Sequence, residues 1–132
     1  MFSIIIFNLI LGLIIGCILE SGYRSFYAKK IILPKLANVQ MYGFIGIFLS
    51  ILYLAKVSLK TELLLLFVFP TLIEFITGYL YLKIKKVRLW DYSNENLNFM
   101  GIIRLRFSIY WFLICSLYYF YLLPILVNKF PS

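Results

Sequence analysis

Histidine is absent from this 132-residue chain, and with it go the commonest general base, proton switch and metal ligand. Cysteine is nearly absent too. Cys17 and Cys115 each lie inside an apolar run, with no CxxC or metal-like neighbour, so both count as small hydrophobes. No metal or cofactor is expected. The chain also has no GxxxxGK[ST] to cradle ATP, no GxSxG and no HExxH. An enzyme built from it would have to work with Asp, Glu, Arg, Tyr or Ser alone. Charge is scarce at 14% of residues, and only five of those are acidic.

What is plentiful is apolar surface: 64% of residues are hydrophobic and 20% aromatic. A soluble domain of this length has too much surface for its volume to hide that content, whereas lipid can cover it. The net charge of +8 raises nucleic acid as a partner. The basic residues, however, cluster beside apolar runs, the pattern of topology signals and anionic-lipid contacts, so no nucleic acid is expected.

Four apolar runs predict transmembrane helices at about 2–19, 41–57, 63–82 and 107–127. Each approaches the ~20 residues that cross ~30 Å of hydrocarbon. None alternates polar and apolar residues as a membrane β-strand does. The first run lacks a basic leader and a small-residue cleavage site before Glu20, so it is read as a retained helix. The expected fold is an all-α polytopic membrane protein, a single integral domain over 1–132, with a structured polar interfacial loop between the third and fourth helices. The two long loops hold ten Lys and Arg, against three on the other side, which predicts those loops in the cytoplasm and both termini outside the cell membrane.

Breakers and small residues add detail. Pro70 and Pro124 fall within the third and fourth runs, where each frees a carbonyl four residues earlier and favours a kink. Gly12 and Gly16 form a small-xxx-small pair that lets another backbone come close.

Polar groups then mark the candidate site. Glu74 lies roughly 12 Å below the membrane boundary at ~1.5 Å per residue, where an acid costs on the order of 3 kcal/mol and needs a partner, a proton or water. Thr77, Gly78 and Tyr81 share its helical face. Arg104, spaced with Ser108 and Trp111 on one face of a helix, is the expected partner. Either the two form a structural ion pair between helices, or Arg104 is the positive end of an anion or head-group site. Glu20 and Arg24 form an i, i+4 pair at the end of the first helix. Should Glu20 turn inward, it would join Glu74. The passage "LWDYSNEN" supplies Trp90 and Tyr92 for the interfacial belt and Asp91 and Ser93 for a cap or turn. Its density of donors and acceptors fits a structured loop or a binding mouth. Tyr42, opening the second helix, faces the same side.

Taken with their spacing, "YGF" at Tyr42–Phe44, Glu74 with Gly78, Trp90–Ser93, Asn98 with Gly101, and Ser108 with Trp111 resemble a family of small bacterial membrane proteins. These are the Putative ABC-transporter type IV proteins, or CmpB-type permeases. Glu20 is similar to the acid that ends the family's first helix. The resemblance implies a transport role. With no nucleotide-binding motif, ATP-driven transport would need a separate ATPase subunit. Four helices are few for a solute path, which implies a homodimer or partner subunit meeting faces such as those of Gly12, Gly16 and Gly78.

The expectation is therefore a permease-like protein with a cytoplasm-facing polar pocket for a small polar or amphipathic solute. The pocket residues would be Glu20, Arg24, Tyr42, Glu74, Gly78, Trp90, Asp91, Tyr92, Asn98, Arg104, Ser108 and Trp111. Two alternatives stand beside it: a membrane-embedded enzyme acting on a lipid or lipid-linked substrate, and a non-catalytic structural or regulatory subunit.

Overall fold

In bilayer hydrocarbon every backbone N–H and C=O must find its partner within the protein, so apolar runs of this length fold as helices. The computed structural model describes residues 1–31, 33 and 35–130, and among them are four helical segments long and apolar enough to cross a membrane: Phe2–Ala28, Leu36–Ala55, Leu59–Lys85 and Leu105–Lys129. The first helix runs nine residues beyond the apolar stretch that predicted it. Hydrophobicity marks the thickness of the hydrocarbon; the helix itself has no reason to stop there.

Two compact units divide the chain, Met1–Ile51 and a second beginning at Leu52. The first holds α1 (Phe2–Ala28) and most of α2 (Leu36–Ala55). α1 ends where Lys29 turns into the left-handed region, with φ 54° and ψ 32°. Its buried residues, Ile4, Asn8, Gly12 and Gly16, recur every four positions. Against this row α2 comes within backbone contact. A Cβ on Gly12 would stand 2.5 Å from the Tyr42 carbonyl oxygen, and one on Gly16 2.7 Å from the Tyr42 ring. Gly46 of α2 in turn lies against the Asn8 carbonyl. The small-xxx-small pair thus does its work inside this unit, and those two faces are filled without a partner subunit.

The second unit contains α3 (Leu59–Leu80), which passes into a wide π turn, Tyr81–Lys85. Ser58 caps α3, its hydroxyl accepting the Thr61 N–H at 3.4 Å while Glu62 occupies the first turn. The helix runs unbroken through Pro70. After the connecting segment come a two-residue hairpin, β1 (Asn98–Phe99) and β2 (Ile103–Arg104), then α4 (Leu105–Leu117), a π turn at Tyr118–Leu122 and α5 (Leu123–Lys129). Pro124 sits at the start of α5. The wide turn ends there because proline has no N–H to donate backwards. The hairpin closes through the Ile102 N–H to Phe99 carbonyl bond at 3.0 Å, with Met100 and Gly101 both left-handed at φ 56° and 68°. Two left-handed central residues make the tight turn that matches strand twist.

α3 and α4 pack along their lengths. Phe67 meets Phe112 edge to face at 6.0 Å, and the buried Tyr119 donates its hydroxyl to Glu62 at 2.7 Å. On α3 the buried row is Leu66, Pro70, Glu74 and Gly78, again at four-residue steps.

Candidate functional site

Glu74 is the acid this row carries into the membrane, and its side chain is almost wholly buried at 4% exposure. Both carboxylate oxygens are occupied. Tyr92 donates its hydroxyl to Oε1 at 3.1 Å, and Trp111 donates its indole N–H to Oε2 at 2.9 Å. The two donors come from elements 18 and 37 residues away in sequence. Neither is charged, so among the described residues the carboxylate is solvated by dipoles and has no counter-ion. One turn along α3, a Cβ on Gly78 would press to 2.6 Å from Ile102 and 3.1 Å from Trp90. Glycine at that position is what lets the connecting segment come flush against the helix beside Glu74. Trp90 then fixes the hairpin by donating its indole N–H to the Ile102 carbonyl at 2.6 Å.

The expected Glu74–Arg104 pair is not the one formed. Arg104 Nη2 meets Glu95 at 3.1 Å, and its guanidinium lies 5.8 Å from the Phe107 ring centre. The reason is local. A helical face shared with Ser108 and Trp111 requires Arg104 to be helical, but it is strand residue of β2, with φ −143° and ψ 134°, and α4 starts only at Leu105. Its buried Nε has no hydrogen-bond partner among the described residues.

The remaining candidates fall into two groups. In the first unit, Glu20 accepts hydrogen bonds from Arg24 Nε and from Asn38 Nδ2, the latter at 2.8 Å, and Tyr42 lies over Gly12 and Gly16. Glu20 is thus held within its own unit. In the second, Asp91 organises the connecting segment: it accepts the Ser93 hydroxyl and the Ser93 N–H, the latter at 2.9 Å, and faces Arg88 at 3.8 Å. Those Ser93 hydrogen bonds, with Arg88 adding a smaller effect, hold the Asp91 carboxyl below its ordinary value. Asn98 donates to the Glu95 carbonyl at 2.8 Å and accepts the Gly101 N–H at 2.9 Å. Asp91 and Asn98 therefore shape the loop and do not touch Glu74. Ser108 is buried on α4.

Three residues outside the sequence-based set matter here. Phe107 stacks on Tyr92 at 5.1 Å and 15°, fixing the ring whose hydroxyl reaches Glu74. Glu95 takes Arg104, and Asn38 takes Glu20. Glu95 and Arg104 each showed their charge in the sequence. Their pairing follows from a hairpin register that no local pattern announced.

Helices of this length and apolarity, an interior acid and a polar segment folded against it define a multi-pass membrane protein. A family model, Putative ABC-transporter type IV, matches residues 7–132, and the chain belongs to that family. No curated protein and no solved structure matches it.

Proposed function

We propose that this protein is the membrane-spanning subunit of a transport system and that Glu74 is the group that meets its cargo. One observation carries the reading: a carboxylate buried in a membrane span has neutral donors on both oxygens and, among the described residues, no cation. An acid placed there only to lock two helices is cheapest when paired with a base, since intramembrane charge is costly. Tyr92 and Trp111 are replaceable donors. A cargo bringing an ammonium or hydroxyl group offers the carboxylate the same kind of contact, and stronger if charged. Tyr92 belongs to the segment between α3 and α4, so withdrawing that segment opens Oε1 without unfolding a span. The cargo class is a small polar or amphipathic solute, and ATP-driven movement draws on a separate ATPase subunit because this chain has no phosphate-binding loop.

The saturation of Glu74 supports a second reading, in which the acid is a fastener that holds the connecting segment to α3 in a non-catalytic subunit. Uptake of labelled amines and polyols into vesicles, compared for the parent chain and Glu74→Gln, separates the two. Transport through Glu74 requires uptake to fall about tenfold or more, the loss of a charge-assisted hydrogen bond of ~1.5–3 kcal/mol, with the melting temperature held. Undiminished uptake in Glu74→Gln removes the transport reading. A loss that only tracks melting temperature establishes the fastener.

A further inference from the structure

One face of α3 is not absorbed by the Glu74 site. Phe67, Thr71, Phe75 and Tyr79 follow one another at four-residue steps, next to the buried row, and Lys83 follows in the π turn that continues the helix. Phe67, Thr71 and Phe75, with Val68 and Leu72, form the floor of an open apolar groove whose far wall is Phe99 and Ile103 of the hairpin. The Thr71 hydroxyl bonds back to the Phe67 carbonyl at 3.2 Å, so this side chain presents its methyl group to the groove. The aromatic ladder continues upward. Phe99 lies 5.7 Å from Phe75, Phe75 stacks on Tyr79 at 5.7 Å and 17°, and the Lys83 ammonium lies 5.6 Å from the Tyr79 ring centre.

We infer that this face is a binding site for one anionic phospholipid, with an acyl chain along the Phe67–Phe99 groove and the phosphate at Lys83 and the Tyr79 hydroxyl. The gradient along the row matches such a molecule from end to end. Its lower part is wholly apolar, its next step is an amphipathic tyrosine of the interfacial type, and its last is a cation. No acid occurs on the row, and among the described residues no carboxylate pairs with Lys83. Length agrees as well. Sixteen residues from Phe67 to Lys83 rise about 24 Å, close to the ~20–22 Å of one leaflet with its head group. The half-buried ladder and the exposed Val68 and Leu72 beside it form one continuous apolar trough against the hairpin. This inference stands apart from the transport reading, since it uses neither Glu74 nor any cargo.

The test is native mass spectrometry of the full chain released from vesicles of equal phosphatidylglycerol and phosphatidylcholine. The parent chain should retain one phosphatidylglycerol in preference to phosphatidylcholine. Lys83→Gln should lower that preference about fivefold, the worth of one lysine at an anionic surface. Thr71→Trp, which fills the groove, should abolish retention of either lipid. A photoactivatable acyl chain should label residues between Phe67 and Phe75 in the unaltered protein, which keeps the inference testable if Thr71→Trp fails to fold. Equal retention of the two lipids by the parent chain would overturn it. So would labelling elsewhere on the chain, or disulfide dimers through Thr71→Cys showing that a second copy fills the groove.

Discussion

Along α1 the buried positions step through Ile4, Asn8, Gly12 and Gly16, and along α3 they step through Leu66, Pro70, Glu74 and Gly78. The spacing is the same and the chemistry is not. In the first unit small residues remove side chains from the contact, so backbone meets backbone and the gain is dispersion between close atoms. The polar group in that row, Asn8, finds an acceptor in its own helix, donating to the Ile4 carbonyl at 2.9 Å. In the second unit the third position is an acid, whose need cannot be met within α3. It draws Tyr92 from the connecting segment and Trp111 from α4. A glycine row makes helices approach; an acid in such a row makes distant segments fold toward it.

The largest expected effect breaks the first half of that comparison. Gly12→Leu puts a side chain where the Tyr42 carbonyl stands, and a backbone obstacle cannot rotate aside. The expected cost is about 3 kcal/mol, the upper end for overpacking, read as a lowered thermal midpoint in detergent. An unchanged midpoint would mean that α1 and α2 do not depend on this approach.

Glu74→Leu probes the second half. It removes the acceptor that the Tyr92 hydroxyl and the Trp111 indole N–H share, at an expected cost of ~1–3 kcal/mol, and hydrogen exchange should rise in residues 89–104 before it rises in α3. Uniform exchange across both would show that Glu74 does not organise the segment.

A smaller effect sharpens the picture of how that segment is held. The Ser93 hydrogen bonds depress the Asp91 carboxyl, so Asp91's contribution to the folded segment is present above its ordinary value of 3.8 and is lost as pH falls through the lower folded value. Acidification in that range should raise exchange in the turn at residues 91–93, and Asp91→Asn should remove this pH dependence. The same pH response in Asp91→Asn would assign it to another group.

Much of the architecture was legible from composition. The four spans follow from run lengths, and the close approach at Gly12 and Gly16 follows from their spacing. Glu74 stood out because an acid inside an apolar run needs an explanation. Its partners were less accessible. A helical reading of Arg104 placed it on the face of Ser108 and Trp111, and that reading failed because the chain is still a strand at 104. Trp111 was on the right face, but its role as donor to a carboxylate depends on the packing of α4 against α3. The register Asn98 with Arg104, and the left-handed Met100 and Gly101 that set it, carry only a weak local signal.

Sequence alone determined the class of this protein, because the solvent a chain requires is a sum over its residues: this much apolar surface demands lipid, and a lone acid within it demands donors. Which donors answer was decided only by the tertiary structure. Hydrogen bonds act over about 3 Å, and whether Tyr92, Trp111 or Arg104 comes within that distance of Glu74 depends on where a hairpin ends and a helix begins.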